Sequence, residues 1–237
     1  MTGRVQWWLA GLFLCATACT SHLFSWEPDT HTVQRGDTVY SIAFRYRLDY
    51  RELARLNGLD SRYLIHPGDT LRLKSSSGGS TTTTAATASA PSRQTSAAGN
   101  SSGISSTSRA AGDPAPTWAW PTDGEITARF NSNANGNKGI NISGRSGQTV
   151  RAAAGGRVVY SGSGLIGYGP LIIVKHNNTY LSAYGHNRKL LVREADQVKP
   201  GQKIAEMGEG PGKTPVLHFE IRRDGQPVDP LSYLPRR

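Results

Sequence analysis

Apolar and polar positions divide the chain into four stretches of different texture. Trp7 to Cys15 is an apolar run behind a single arginine, Arg4, and it gives way to small residues ending at Cys19. From His31 to Lys74 the apolar residues fall at two spacings. Ile42, Ala43 and Tyr46, and then Leu53 and Leu56, recur as on one face of a helix, whereas Thr32-Val33 and Thr70-Leu71-Arg72-Leu73 read as short strands. Gly36-Asp37-Thr38 marks the first turn, and Asp37 or Thr38 can cap the helix behind it. Asn57 continues the second helix, which Gly58 closes, and Pro67-Gly68-Asp69 turns the chain into the last strand. The order is strand, helix, helix, strand, with the two strands apposed.

Residues 75–116 are mostly Ser, Thr, Ala and Gly, with no aromatic residue and Ile104 as the single large aliphatic. Such a stretch buries too little apolar surface to offset chain entropy, which predicts a disordered tether. As a flexible coil it would reach roughly 35–40 Å. Beyond it the period changes to that of strands: ITARF (126–130), TVRAA (149–153), GRVVYSG (156–162), PLIIVKH (170–176) and TYLSAYGH (179–186) alternate or run apolar between Gly and Asn turns. Asp224-Gly225 marks a hairpin. The chain is thus expected to be multidomain, with a small α+β module, a disordered linker and a mainly-β antiparallel sheet domain. No internal repeat is visible.

The 237 residues carry a formal net charge of +10. That charge is compatible with nucleic acid, an anionic membrane or an acidic cell wall. The N-terminus decides among them. Its apolar run is shorter than the roughly 20 residues of a membrane span and has the build of a secretory signal. Ala16-Thr17-Ala18-Cys19 resembles a bacterial lipobox, which would make residues 1–19 a cleaved leader with Cys19 lipidated. An ordinary signal peptide with a chance cysteine is the alternative. By the same resemblance, Thr20 and Ser21 after the cysteine imply the outer membrane. An exported chain does not meet the chromosome, so nucleic acid is excluded as a partner. Cys15 and Cys19 are the only cysteines, and the mature domains therefore carry neither a disulfide nor a thiolate ligand.

Residues 31–74 resemble a LysM domain through Val33, Gly36-Asp37-Thr38, Ile42-Ala43, Tyr46, Leu53, Asn57, Ile65, Pro67-Gly68 and Leu71. The resemblance implies a shallow groove for N-acetylglucosamine-containing glycan strands of peptidoglycan. That groove would lie between Gly36, Asp37 and Thr38 on one side and Ile65, Pro67 and Gly68 on the other, although these residues also suit plain turns.

Residues 118–235 resemble the LytM, or M23, peptidoglycan endopeptidases. In active members a histidine, an aspartate four residues on and the second histidine of a His-x-His pair hold zinc. A histidine after a Tyr-x step and the first histidine of the pair assist the water. Carried onto this chain, the ligands fall on Asn137, Asn141 and His218, and the assisting positions on His186, after Tyr184-Gly185, and Val216. Zinc favours imidazole, thiolate and carboxylate donors, and an asparagine amide is a poor substitute. Without that shell, bound water keeps a high pKa and yields no hydroxide near neutral pH. The expectation is therefore no metal, no cofactor and no catalytic residue, with His186 and His218 hydrogen-bonded in an emptied groove.

The whole arrangement of leader, LysM and degenerate LytM domain resembles the NlpD type of divisome-associated lipoprotein. That resemblance implies activation of a periplasmic N-acetylmuramoyl-L-alanine amidase at the division septum. Asn137, Lys138, Asn141, Tyr184, His186, Val216 and His218 would then line a partner-binding groove, with the 165–169 loop at its rim. Two other classes stay open: a scaffold tethering outer membrane to wall, and an active zinc endopeptidase, which the missing ligands oppose.

Overall fold

The structure, a computed structural model, describes residues 28–75, 113–133 and 136–237. Cys19 with its leader, and residues 76–112 of the expected linker, lie outside the described residues.

The first unit runs β1 (Thr30–Thr32), α1 (Val39–Tyr46), α2 (Tyr50–Leu56) and β2 (Thr70–Arg72), with β1 antiparallel to β2 and Thr30 opposite Arg72. Thr38, not Asp37, caps α1. Its hydroxyl accepts from the Ser41 amide at 3.0 Å, while Ser41 Oγ accepts from the Thr38 amide at 2.9 Å, which satisfies two orphan donors at once. Asp37 is occupied elsewhere, accepting from His31 Nε2 at 2.9 Å and from the Gln34 amide at 3.0 Å. Asp49 caps α2. Val39, Ile42, Leu53, Leu71 and Leu73 form the core.

The second unit contains β3 (Ile126–Ala128), β4 (Ile140–Ser143), β5 (Thr149–Arg151), β6 (Gly156–Gly162), β7 (Leu171–Lys175), β8 (Tyr180–Gly185), β9 (Asn187–Leu190), β10 (Gln197–Val198), β11 (Lys203–Met207), β12 (Val216–Arg223) and β13 (Gln226–Val228). The main sheet is antiparallel, in the order β10-β6-β7-β8-β12-β4-β3, with β13 paired to the far half of β12. A smaller sheet, β5-β11-β9, closes a shared core over one face. The β12–β13 hairpin turns at Asp224-Gly225, as the sequence predicts, with both residues at positive φ (48° and 77°).

Period-two alternation sorts β12 cleanly. Leu217, Phe219 and Ile221 point into the shared core, which leaves Val216, His218, Glu220 and Arg222 on the opposite face. That opposite face is covered too. Val159, Leu171, Ile173, Leu181 and Ala183 pack with Phe44 of α1. Burial on both faces explains why the sequences of β7 and β8 run apolar instead of alternating.

The two units are therefore docked, which the tether composition alone did not foretell. The Phe44 carbonyl accepts from Arg222 Nη1 at 2.7 Å, and the Arg222 guanidinium lies 3.3 Å from the centre of the Phe44 ring. Thr38 Oγ1 donates to the Val159 carbonyl at 3.2 Å, Arg45 Nη2 to Gly164 at 3.1 Å and Gln226 Nε2 to Arg47 at 2.7 Å. Gly225 is needed here as well as for its turn, because a side chain would collide with the Leu48 backbone.

Arg222 is 2% exposed and its partner Glu220 is fully buried. Removing one member of a buried pair strands the other charge, at a cost of about 3–5 kcal/mol. Arg222→Ala is expected to lower stability by that amount in urea unfolding. Arg55→Ala, which breaks the exposed pair with Glu52, should cost only about 0–1 kcal/mol.

Candidate functional site

Register brings the candidate residues together. His218 on β12 stands opposite Asn141 on β4 and opposite Gly185 on β8. His186 follows immediately, with φ at 61°, and this turn out of the strand sends its ring toward His218, with centroids 6.0 Å apart. The result is a cleft of about 270 Å³ lined by Asn137, Lys138, Asn141, Tyr168, His186, Pro211, His218 and Glu220.

Both ring nitrogens of His218 are engaged, Nδ1 with Asn141 Oδ1 at 2.8 Å and Nε2 with Glu220 Oε1 at 3.0 Å. An ionised carboxylate only accepts, so Nε2 carries a proton. A neutral ring then takes a hydrogen at Nδ1 from the Asn141 amide turned end for end, whereas a charged ring donates to the amide oxygen. In either state Nδ1 has no lone pair to spare. Asn137 is committed as well, its amide donating to the carbonyls of Gly139 at 2.9 Å and Arg129 at 3.2 Å. Among the described residues no three His, Cys, Asp or Glu side chains are grouped to hold a metal. The donors present do not suit zinc.

Glu220 anchors the cleft floor. It accepts from Tyr168 Oη at 2.8 Å and from Arg222 Nε at 2.9 Å, besides His218. Burial alone would raise its pKa. The Arg222 charge and the bonds from His218 and Tyr168 outweigh burial and hold it below the usual carboxylate range. Burial pushes the Tyr168 hydroxyl up, and the Glu220 charge adds to the rise. Burial lowers His186, with His218 contributing.

Two expected lining residues are corrected. Tyr184 faces the core, because it pairs with Phe219 and not with His218. It is fully buried, and its hydroxyl accepts from the Ala153 amide at 2.8 Å. Val216 is 7% exposed beneath Gly210, where an added side chain would strike it, so it borders the cleft without lining it. Glu220, Arg222 and Tyr168 went unassigned. The first two share the strand parity of His218 and were readable from it, whereas Tyr168 lay within the rim loop named only as a segment.

In the first unit Gly36, Pro67 and Gly68 are exposed in turns, with Gly36 and Gly68 at positive φ, and Ile65 is half-buried against the core. Asp37 and Thr38 have their side chains engaged as described. Any glycan contact on this rim therefore falls to backbone groups and to apolar surface.

A sheet of this topology, with amides at two of the implied metal positions and a βααβ module docked behind it, defines a LysM-bearing chain of peptidase-like fold. Residues 135–230 match Peptidase family M23 and residues 31–74 match the LysM domain. A Pseudomonas aeruginosa protein described as a lipoprotein NlpD/LppB homolog is 48% identical over 87% of this chain and 77% of its own. The murein hydrolase activator NlpD of Escherichia coli is 38% identical, over 90% and 69%. The uncharacterized lipoprotein YgeR of the same organism is also 38% identical, over 98% and 92%. The chain belongs to the NlpD/LppB family.

The sign of the Glu220 shift sets a pH dependence. A carboxyl whose folded pKa is depressed stabilises the fold fully above its unfolded value, about 4.3, and that contribution is lost as pH falls through the folded value. Glu220→Gln should therefore be less stable than the parent at pH 7. The gap in unfolding free energy should narrow below about pH 4.

Proposed function

We propose that the chain is a wall-bound lipoprotein that activates a periplasmic N-acetylmuramoyl-L-alanine amidase during septal wall splitting, and that it hydrolyses nothing itself. The observation that carries this reading is His218 with both nitrogens committed, inside a fold whose active members need that residue for zinc. A relative in the same family is described as a murein hydrolase activator, which supports it. The LysM match supports binding to peptidoglycan strands. Lipidation at Cys19 would fix the mature chain to the outer membrane, because several acyl chains together hold where one does not.

Activation then proceeds by binding. The cleft receives a segment of the amidase, by strand addition or as a helix. If that segment is inhibitory and fits the cleft only once displaced, binding shifts the enzyme toward its open form by no more than the differential affinity. Lys138, at the mouth, offers a cation to such a segment, and Tyr168 and Pro211 offer apolar surface. Tyr168 is braced from behind by Phe44, whose ring meets it edge-on at 5.3 Å. The LysM unit thereby helps to set the shape of the cleft.

The test is release of dye from labelled sacculi by the purified chain, by the cognate amidase and by the two together. Release above the amidase level only in the mixture is expected. Lys138→Gln should cut that stimulation roughly tenfold, a loss of about 1.4 kcal/mol of binding, while the variant still unfolds cooperatively in urea. Release by the chain alone would overturn the reading. No stimulation would move the function to a scaffold joining membrane and wall.

A further inference from the structure

A second cleft, of about 520 Å³, opens where the two units meet. Tyr40, Tyr63 and Arg62 line it from the LysM unit, and Arg157, Lys175 and Glu194 from the sheet. Arg62 is bonded to Asp60 at 2.9 Å and is therefore accounted for. The other two cations are not. Arg157 on β6 and Lys175 on β7 are direct cross-strand partners. Like charges placed opposite each other destabilise a sheet. Among the described residues, neither forms an ion pair with an acidic side chain. Lys175 instead lies over the Tyr50 ring at 4.9 Å and near the Tyr40 ring at 5.9 Å. Burial lowers its pKa most, and the charges of Arg51 and Arg157 add to the fall against the opposing charges of Asp113 and Asp49.

A cationic pair beside two tyrosines has a recognisable complement. The cations suit a carboxylate, and tyrosine rings and hydroxyls suit the mixed apolar and polar faces of a sugar. Thr38 and Val39 also border this cleft, so it continues the glycan rim expected of the LysM unit. We infer that this junction is a composite site for a carboxylate-bearing saccharide, with the sugar held by the LysM tyrosines and the carboxylate by Arg157 and Lys175 of the sheet. The inference rests on the wall-binding part of the proposed function and extends it to residues of the M23 unit. A ligand seated here touches both units and so binds only their docked arrangement. Glu194 is the one acid in the lining; it sits on the sheet side and sets a limit on how much negative charge the ligand can bring.

The test compares two probes by calorimetry on the purified full-length chain. One is the peptide-free disaccharide of N-acetylglucosamine and N-acetylmuramic acid, whose lactyl group carries a carboxylate. The other is its neutral methyl ester. The acid is expected to bind roughly tenfold tighter than the ester. The double variant Arg157→Gln, Lys175→Gln should lose that preference and keep the affinity for the ester, which also reports that the variant is folded. Equal binding of acid and ester by the parent, or a preference that survives in the variant, would overturn the composite site alone. Binding of neither probe would bring down the site and the wall-binding reading together.

Discussion

A chain of hydrogen bonds, buried for most of its length, crosses the molecule from the Phe44 carbonyl through Arg222 and Glu220 to His218 and Asn141. Glu220 is its centre. A fully buried carboxylate is tolerable only with its lone pairs filled, and here Arg222, His218 and Tyr168 fill them. This arrangement does several things at once. It fixes the His218 ring, spans the strands of the cleft floor and holds the wall residue Tyr168. The cleft is ordered by hydrogen bonds from its own side chains.

The same chain ties the two units together. Arg222 serves Glu220 with Nε and the LysM backbone with Nη1, so one side chain belongs both to the cleft floor and to the domain interface. Phe44 covers the second face of the sheet, where β7 and β8 would otherwise expose apolar residues to water. Arg45 holds the loop that carries Tyr168 through the Gly164 carbonyl. The LysM unit and the cleft of the sheet thus share one set of contacts.

Much of this was legible in the sequence. The βααβ order, the strand 156–162, the Asp224-Gly225 hairpin and the amides at positions 137 and 141 follow from local periodicity, turn chemistry and motif spacing. What local sequence does not carry has a physical pattern. Tyr184 was misplaced because Gly185, not Tyr184, is the register partner of His218, and register is a property of pairs of strands. Glu220 was overlooked although its parity with His218 was available in VLHFEIRR. The docking of the units was not legible, since it depends on Phe44 meeting a sheet more than a hundred residues away. The apolar runs of β7 and β8 were its only trace.

On the proposed reading, hydrogen bonds inside the cleft hold His218 where an active peptidase would hold a metal. Nitrogen NMR of the His218 ring during zinc titration tests it most directly. If Asn141 and Glu220 hold the two nitrogens, zinc leaves both His218 resonances where they were and the Nε2 proton persists. A zinc-dependent shift of Nδ1 at stoichiometric metal would contradict the account.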